Sequence, residues 1–538
     1  MRTQRRIKLS IFAWLTLLTI AVQAATTNWD TAAQNWWAHV QYLADDKLAG
    51  RHTGSPGFQL AAQYVENQFK DAGLNPAGTN GYLQPVAFDA FKLDSSHTTW
   101  ELDADGQRTP VDLGTDAVVN VYTGAGGDVD AEAVFVGYGF AAPEKNFDEF
   151  ASLDLHGKIA VALGGRPLSV PGPISTYYQS QSERWSALRK AGAIGLVTIA
   201  NPKLTLPWER IVASQPDQVI ELADPALNEL SGLKFSAIIN AAHADKFLEG
   251  TGHNITELLA LADTGQPLPK FALKPKFRGQ VSVTKLPGIS SPNILGLLLG
   301  TDPKLRNEYV VLSAHLDHLG VGRPINGDNI YNGAMDNASG VASLIEIAKT
   351  IYGSNAPKPK RSLLFIAWTG EEEGMLGSRY FVAHPTVPLR NVVAVINMDM
   401  YLPLFPLRYL EVQGLGESTL GNDIRAVAQL NDVEVQFDKQ PPENRLIRSD
   451  QASFIRRGIP GVAFKFGWLP DSPEQKIFNE WIHNRYHSPS DDLSQPVDKV
   501  AAAQFTQIIA QFAVRVADER TRPSWYPESF YHRLSLGG

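Results

Sequence analysis

The sequence predicts an α/β protein in which a mixed, mostly parallel sheet lies between layers of helices, with a smaller α/β unit inserted in the chain. Three observations carry this expectation. From residue 293 onward, apolar runs of strand length alternate with helical stretches, the pattern of a largely parallel sheet covered on both faces. Between residues 126 and 275 a second alternation of strands and helices begins and ends, enough chain for one compact unit. The 538 residues are 44% hydrophobic and 19% charged, an ordinary globular composition on a chain too long for a single core.

Residues 1–24 read as a secretory signal. Arg2, Arg5, Arg6 and Lys8 precede an apolar stretch over 9–22, and Val22-Gln23-Ala24 offers the small residues that a signal peptidase accepts. The apolar run is shorter than the ~20 residues a membrane span needs, so no stable membrane insertion is expected after cleavage. The chain has no cysteine. Disulfides and thiolate metal sites are thereby excluded, and export to a bacterial periplasm or the extracellular medium fits a large core that stands without staples. A formal charge of −8 gives no basic footprint for a nucleic-acid partner.

Residues 25–125 form the first part of the main domain. Helices are expected over 36–43 and 57–72; in the second, Ala61, Tyr64, Val65, Gln68 and Phe69 share a face and Gly73 stops it. The loop Gly50-Arg51-His52-Thr53-Gly54 separates them, and short strands and turns follow from 83 to 126. In the inserted unit, 126–275, strands fall at 133–139, 158–163, 194–199 and 235–239, with helices at 183–191 and 241–249. Residues 276–538 return to the main domain. Its strands lie at 309–314, 363–368, 392–397 and 462–466, with a short buried strand over 295–300. One helix runs over 339–352 between an Asn337/Ser339 cap and Gly353, and a last one over 499–517.

Polar residues placed on this map gather at one edge. His315, Glu372 and Asp399 each lie at or just past the carboxyl end of an apolar strand, where open α/β sheets bind ligands. Asp336 sits before a helix, and His487 lies in a late loop. Zinc takes imidazole nitrogen and carboxylate oxygen, and a pair of cations ~3.5–4 Å apart requires a carboxylate between them. A further unligated carboxylate is needed as general base; the adjacent Glu371 and Glu372 suit that division. Asp317, two residues after His315, is placed to accept the second imidazole N–H and fix the ring's tautomer. Each piece alone has a plainer explanation: a hydrogen-bonded strand-end histidine, a solvated glutamate run, an aspartate cap.

The combination resembles the co-catalytic zinc exopeptidases of metallopeptidase family twenty-eight, in the MH clan. The resemblance rests on Asn293-Ile294-Leu295-Gly296, on the stretch from Ala314 through His315-Leu316-Asp317-His318 to Gly320, and on Gly333-Ala334-Met335-Asp336-Asn337-Ala338-Ser339-Gly340. Thr369-Gly370-Glu371-Glu372-Glu373-Gly374, Asn397-Met398-Asp399-Met400 and Tyr486-His487-Ser488-Pro489-Ser490-Asp491 complete it. It implies two zinc ions bridged by Asp336, with His315 and Asp399 completing one site and Glu372 and His487 the other. It also implies Glu371 as general base, Asp317 as the support of His315, and a peptide substrate. His318 reads as a supporting or structural residue, and His483 as the wrong choice of ligand in its loop. The insertion resembles a protease-associated domain through Val136-Gly137-Tyr138-Gly139, Asp154-Leu155-His156-Gly157-Lys158-Ile159 and Lys190-Ala191-Gly192-Ala193, which implies a lid over the active site.

Aminopeptidase action is the reading the resemblance favours. Carboxypeptidase or dipeptidase action is the runner-up, for which Arg445 and Arg448 are candidate carboxylate partners. A metal-free receptor-like module and a single-zinc glutaminyl cyclase share the fold and are the remaining alternatives. The stretch 401–406 departs from many relatives and is expected near the rim of the site. Trp468 and Trp481 are candidates for an apolar side-chain pocket or for the core. Cobalt or manganese would also fit nitrogen and oxygen donors.

Overall fold

A computed structural model of the chain describes residues 28–121, 126–213, 215, 218–354 and 357–535; the expected signal segment lies outside them. The main sheet has ten strands. Four in its middle, Ser362–Trp368, Tyr309–His315, Val392–Asn397 and Gly461–Phe466, run parallel in that spatial order. Antiparallel pairs extend it on both sides. Val283–Leu298, Leu83–Leu93 and Val219–Leu222 continue beyond Ser362–Trp368, and Tyr409–Gln413 continues beyond Gly461–Phe466, with Glu434–Gln436 parallel to it at the edge. The sheet is therefore mixed, with its parallel part concentrated where helices cover both faces.

Burial explains why these strands are continuous apolar runs. Every residue of Ser362–Trp368 and Val392–Asn397 is buried, and successive side chains point to opposite layers. Leu363, Phe365 and Ala367 join a core with the helices Trp29–Leu43, Ser339–Gly353 and Lys499–Asp518. Leu364, Ile366 and Trp368 face the other way, against Phe381 of helix Leu376–Ala383 and Phe454 of the short helix Gln451–Ile455. Lys499–Asp518 is the one helix among the described residues long and apolar enough to cross a membrane, and 67% of its most apolar window is buried in the protein.

A second core stands apart from the first. Its six-stranded sheet runs Phe271–Ala272, Ala133–Phe135, Ile159–Leu163, Gly195–Ile199, Phe235–Ile239, Ala117–Val119, with the middle four strands parallel. A four-stranded antiparallel sheet, which includes Thr99–Ala104 and Lys276–Val281, packs against it. Between them Trp100 meets Phe235, Phe247 and Phe277 with ring centroids 5.0, 5.2 and 5.1 Å apart. This core draws on residues from Phe91 to Val281, so its strands reach past the 126–275 limits expected of the insertion at both ends. Ala117–Val119 belongs to it only through pairing with Phe235–Ile239, a contact more than a hundred residues away that leaves no local trace in the sequence.

Candidate metal centre

The strand register brings the donors together. His315 is the last residue of its strand and lies opposite Trp368 of one parallel neighbour, while Ser313 lies opposite Asn397 of the other. The turn after Trp368 carries Glu371 and Glu372, and Asp399 follows two residues after Asn397. Asp336 lies in an irregular turn before helix Ser339–Gly353. His487 arrives on the loop after helix Pro473–Asn484. All five residues expected as ligands thus meet at the carboxyl edge of the sheet.

Asp336 stands at the centre, and its two oxygens face different imidazoles. Oδ1 is 3.2 Å from His315 Nε2, and Oδ2 is 3.4 Å from His487 Nε2. On the first side His315 Nε2 also lies 3.3 Å from Asp399 Oδ1; on the second, His487 Nε2 lies 3.1 Å from Glu372 Oε2. One carboxylate is therefore shared by two donor groups, His315 with Asp399 and His487 with Glu372. Donor atoms of His315, Asp336 and Glu372 all lie within 4.8 Å of one another.

The charge balance has the same character. Burial would lower the His315 imidazole, yet Glu371, Asp336 and Asp399 hold it well above the ordinary histidine value. Burial likewise opposes charge on His487, but the surrounding acids, Glu372 and Asp336 among them, raise it. Asp336 is held well below the usual carboxylate range by the same imidazoles despite its burial. Burial and Asp336 push Glu372 up, while His487 and His318 prevail and bring it to about 2. Glu371 differs: burial drives it well above the carboxylate range, with His315 opposing and Asp399, Asp450 and Glu372 reinforcing. Asp336, Glu371, Glu372 and Asp399 crowd one end of this small space, and with His315 and His487 they make a donor set suited to divalent cations.

The neighbouring residues explain how the site is held. The His315 Nδ1–H donates to the backbone carbonyl of Asp317 at 3.1 Å, so the expected support comes from the main chain and not from the carboxylate. The Asp317 carboxylate instead accepts the backbone N–H groups of Glu371 and Glu372, at 3.1 and 3.2 Å, and so fixes the glutamate turn. Glu373 is turned away towards His52, 3.1 Å from its Nε2. His318, fully buried, backs Glu372 with Nδ1 2.6 Å from Oε1. The Asp491 carboxylate accepts the N–H groups of Met335 and Asp336 at 2.9 Å each. Asn337 ties the same turn to Met398, donating to its carbonyl at 2.9 Å, and accepts the Gly340 N–H at 3.1 Å in the first turn of the following helix, whose N-cap position is Ala338 and not the expected Asn337 or Ser339.

Arg51 was legible in the sequence only as part of a loop. Its guanidinium is fully buried and donates to the carbonyls of Leu43, Leu316, Asn332 and Gly333 at 2.5–3.1 Å. It thereby joins the segments that carry His315 and Asp336. Burial lowers it to about 10, against the pull of Asp491, Asp317, Asp336 and Glu372.

Other candidates fall elsewhere. His483 is exposed near the end of its helix and its carbonyl is held by Arg210. Residues 401–406 are mostly core, not rim: Tyr401 is fully buried, stacks on Phe505 at 4.0 Å and bonds Ser343. Trp481 is core as well, its indole N–H donating to Gln495 at 2.7 Å, and Trp468 packs on Phe478. Arg445 is engaged by Glu411 and Asp438, whereas Arg448 is half-exposed with Glu443 at 3.3 Å. A cavity of about 170 Å³ opens from Asp336, Glu371, Glu372, Asp399 and His487 towards Arg448 and Lys465.

Residues 293–513 match the model of Peptidase family M28. The probable leucine aminopeptidase 2 of Aspergillus oryzae is 29% identical over 216 residues, 37% of this chain and 38% of that protein. Leucine aminopeptidase 2 of Trichophyton equinum is 28% identical over 251 residues, 43% of this chain and 46% of that one. The chain thus spans less than half the length of these curated relatives. Among solved structures, an aminopeptidase from Aneurinibacillus sp. strain AM-1 superimposes with a TM-score of 0.55 at 21% identity, covering 93% of this chain and 97% of its own, and so shares the fold. The segment that matches the family model begins on the strand Val283–Leu298 and takes in every donor of the cluster.

Proposed function

We propose that the protein is an exported two-zinc exopeptidase that hydrolyses N-terminal residues from peptides. The observation that carries the proposal is the split of Asp336 between two donor groups, one oxygen towards His315 and the other towards His487. His315, Asp336 and Asp399 would hold one zinc, and Asp336, Glu372 and His487 the other. Zinc at such a site supplies Lewis acidity towards a carbonyl oxygen and makes water more acidic.

Glu371 is the base in this reading. It lines the cavity beside the donors without being one of them, and its burial favours a carboxyl that both takes and returns a proton. It removes a proton from the attacking water, whose oxygen adds to the scissile carbonyl carbon. When the carbon–nitrogen bond breaks, the Glu371 carboxyl returns the proton to the leaving amine. Asp317 holds the turn so that Glu371 and Glu372 diverge, and His318 restrains Glu372. The insertion, taken here as a protease-associated unit built around the second core, overhangs the site and limits access. Its residues Glu229 and Leu227 meet Arg379 and Arg456 of the catalytic domain. Export rests on the basic and apolar pattern of residues 1–24.

Carboxypeptidase action remains the competing reading because Arg448 is free enough to meet a terminal carboxylate, although Arg445 is already neutralised. Matched peptides, one with a free and one with an acetylated amino terminus, separate the two. Release of the first residue from the free peptide alone, abolished by a chelator and restored by zinc, is expected. Equal cleavage of the acetylated peptide would sink the aminopeptidase proposal. Metal analysis should return two zinc ions per chain, and a stoichiometry near one would favour the cyclase alternative.

A further inference from the structure

The cavity beside the donors has a floor made by two neighbouring strands. Gly461–Phe466 and Tyr409–Gln413 pair antiparallel with Lys465 opposite Glu411 and Ala463 opposite Gln413, so Lys465, Ala463 and Gln413 share one face and all three line the cavity. Lysine is rarely buried unless paired, yet Lys465 is 6% exposed. Its ammonium donates to the backbone carbonyl of Asp399 at 2.9 Å and has no ion-pair partner within 4 Å among the described residues. Of the other basic side chains on the wall, Arg445 is held by Glu411 and Asp438, while Arg448 stands at the exposed end, 3.3 Å from Glu443. Gln413, 3% exposed, keeps its Nε2 buried with no hydrogen-bond partner. A buried donor left unpaired costs about 1–3 kcal/mol, so a cavity with such a donor next to an ammonium is shaped for an acceptor.

We propose that Lys465 and Gln413 form the floor of a specificity pocket that receives the side-chain carboxylate of an N-terminal glutamate or aspartate. The ammonium supplies the charge and the glutamine amide a second hydrogen bond, while Met400, Ala463 and Ile482 pack the methylene stem. A leucine side chain in the same space leaves both donors without acceptors. Acidic terminal residues are therefore preferred, with the side-chain amide of glutamine accepted less well and lysine rejected. This inference rests on the aminopeptidase reading above.

The test uses the full chain loaded with zinc and a panel of amino-acid 4-nitroanilides, which have no terminal carboxylate of their own. Turnover of any member, lost with chelator, upholds the aminopeptidase reading independently of the pocket. The pocket predicts a kcat/KM for the glutamyl substrate at least about tenfold above the leucyl one. Lys465→Met should bring that ratio below one, and Lys465→Arg should keep it above one. If Lys465→Met does not fold, Gln413→Leu should lower the ratio about tenfold, and free glutamate should inhibit wild type more strongly than free leucine. A leucyl preference in wild type overturns the pocket. So does a panel in which glutamate gains nothing while the dipeptide Leu-Gly is cleaved far faster than Leu-Gly amide, because Lys465 would then be binding a chain-terminal carboxylate.

Discussion

Glu371, half-buried, and Arg51, fully buried, are ionisable residues at the same site, and they should fail in different ways. Glu371→Gln keeps the size and the turn held by Asp317, so zinc content measured by mass spectrometry of metals should stay near wild type. Hydrolysis should fall by about 10²–10⁴, the usual worth of a positioned acid–base group; turnover within threefold of wild type would remove Glu371 from that role. Arg51→Met deletes donors to four carbonyls from separate segments. Charged hydrogen bonds contribute about 1.5–3 kcal/mol each, so chemical denaturation should report a loss of at least about 3 kcal/mol, with zinc binding weakened because the segments bearing His315 and Asp336 lose their common anchor. Full stability in that variant would mean that the carbonyls find other donors.

Elements of the main domain owe their order to burial and capping, and the two were unequally legible in the sequence. Ser362–Trp368 is a run of uniformly buried residues bounded by turns, and such a run shows plainly. Tyr409–Gln413 was not assigned, because Glu411 and Gln413 interrupt its apolar pattern; Glu411 is buried only by virtue of Arg445, a partner 34 residues away. Helices Leu376–Ala383, Leu420–Leu430 and Pro473–Asn484 were also passed over, the first being short and uncapped by any side chain. The site had a clearer signature: the motifs carrying three of the five donors, His315, Glu372 and Asp399, could be placed at strand ends, whereas Arg51, Lys465 and Gln413 act through contacts that no local pattern announces. At the last helix the cap is explicit. Asp498 accepts the Ala501 N–H at 2.9 Å, and Asp498→Ala should cost about 1 kcal/mol in urea unfolding, with no change in zinc content.

On the scale of the whole molecule the two cores are joined rather than merely adjacent. Val219–Leu222, within the inserted segment, pairs with Leu83–Leu93 at the margin of the main sheet. Arg210, from helix Trp208–Ala213 of the same segment, donates to the carbonyls of His483 and Tyr486, the latter immediately before His487. Arg210→Met should therefore loosen the His487 loop and raise the zinc concentration needed for half-maximal activity, although it lies in the insertion; an unchanged zinc titration would show that the loop holds itself. A calorimetric scan should give a single endotherm, since melting either core strips partners from the other, and two resolved transitions would speak against this coupling.

The shared strand has one more consequence. If the insertion overhangs the catalytic edge as proposed above, a cover stitched into the sheet has no free hinge along that seam, and the doorway would keep a fixed width during turnover. Frayed ends of polypeptides could thread through such a doorway, and folded proteins with tucked-in termini would be turned back. The enzyme would then work downstream of endoproteases, consuming the short fragments they release.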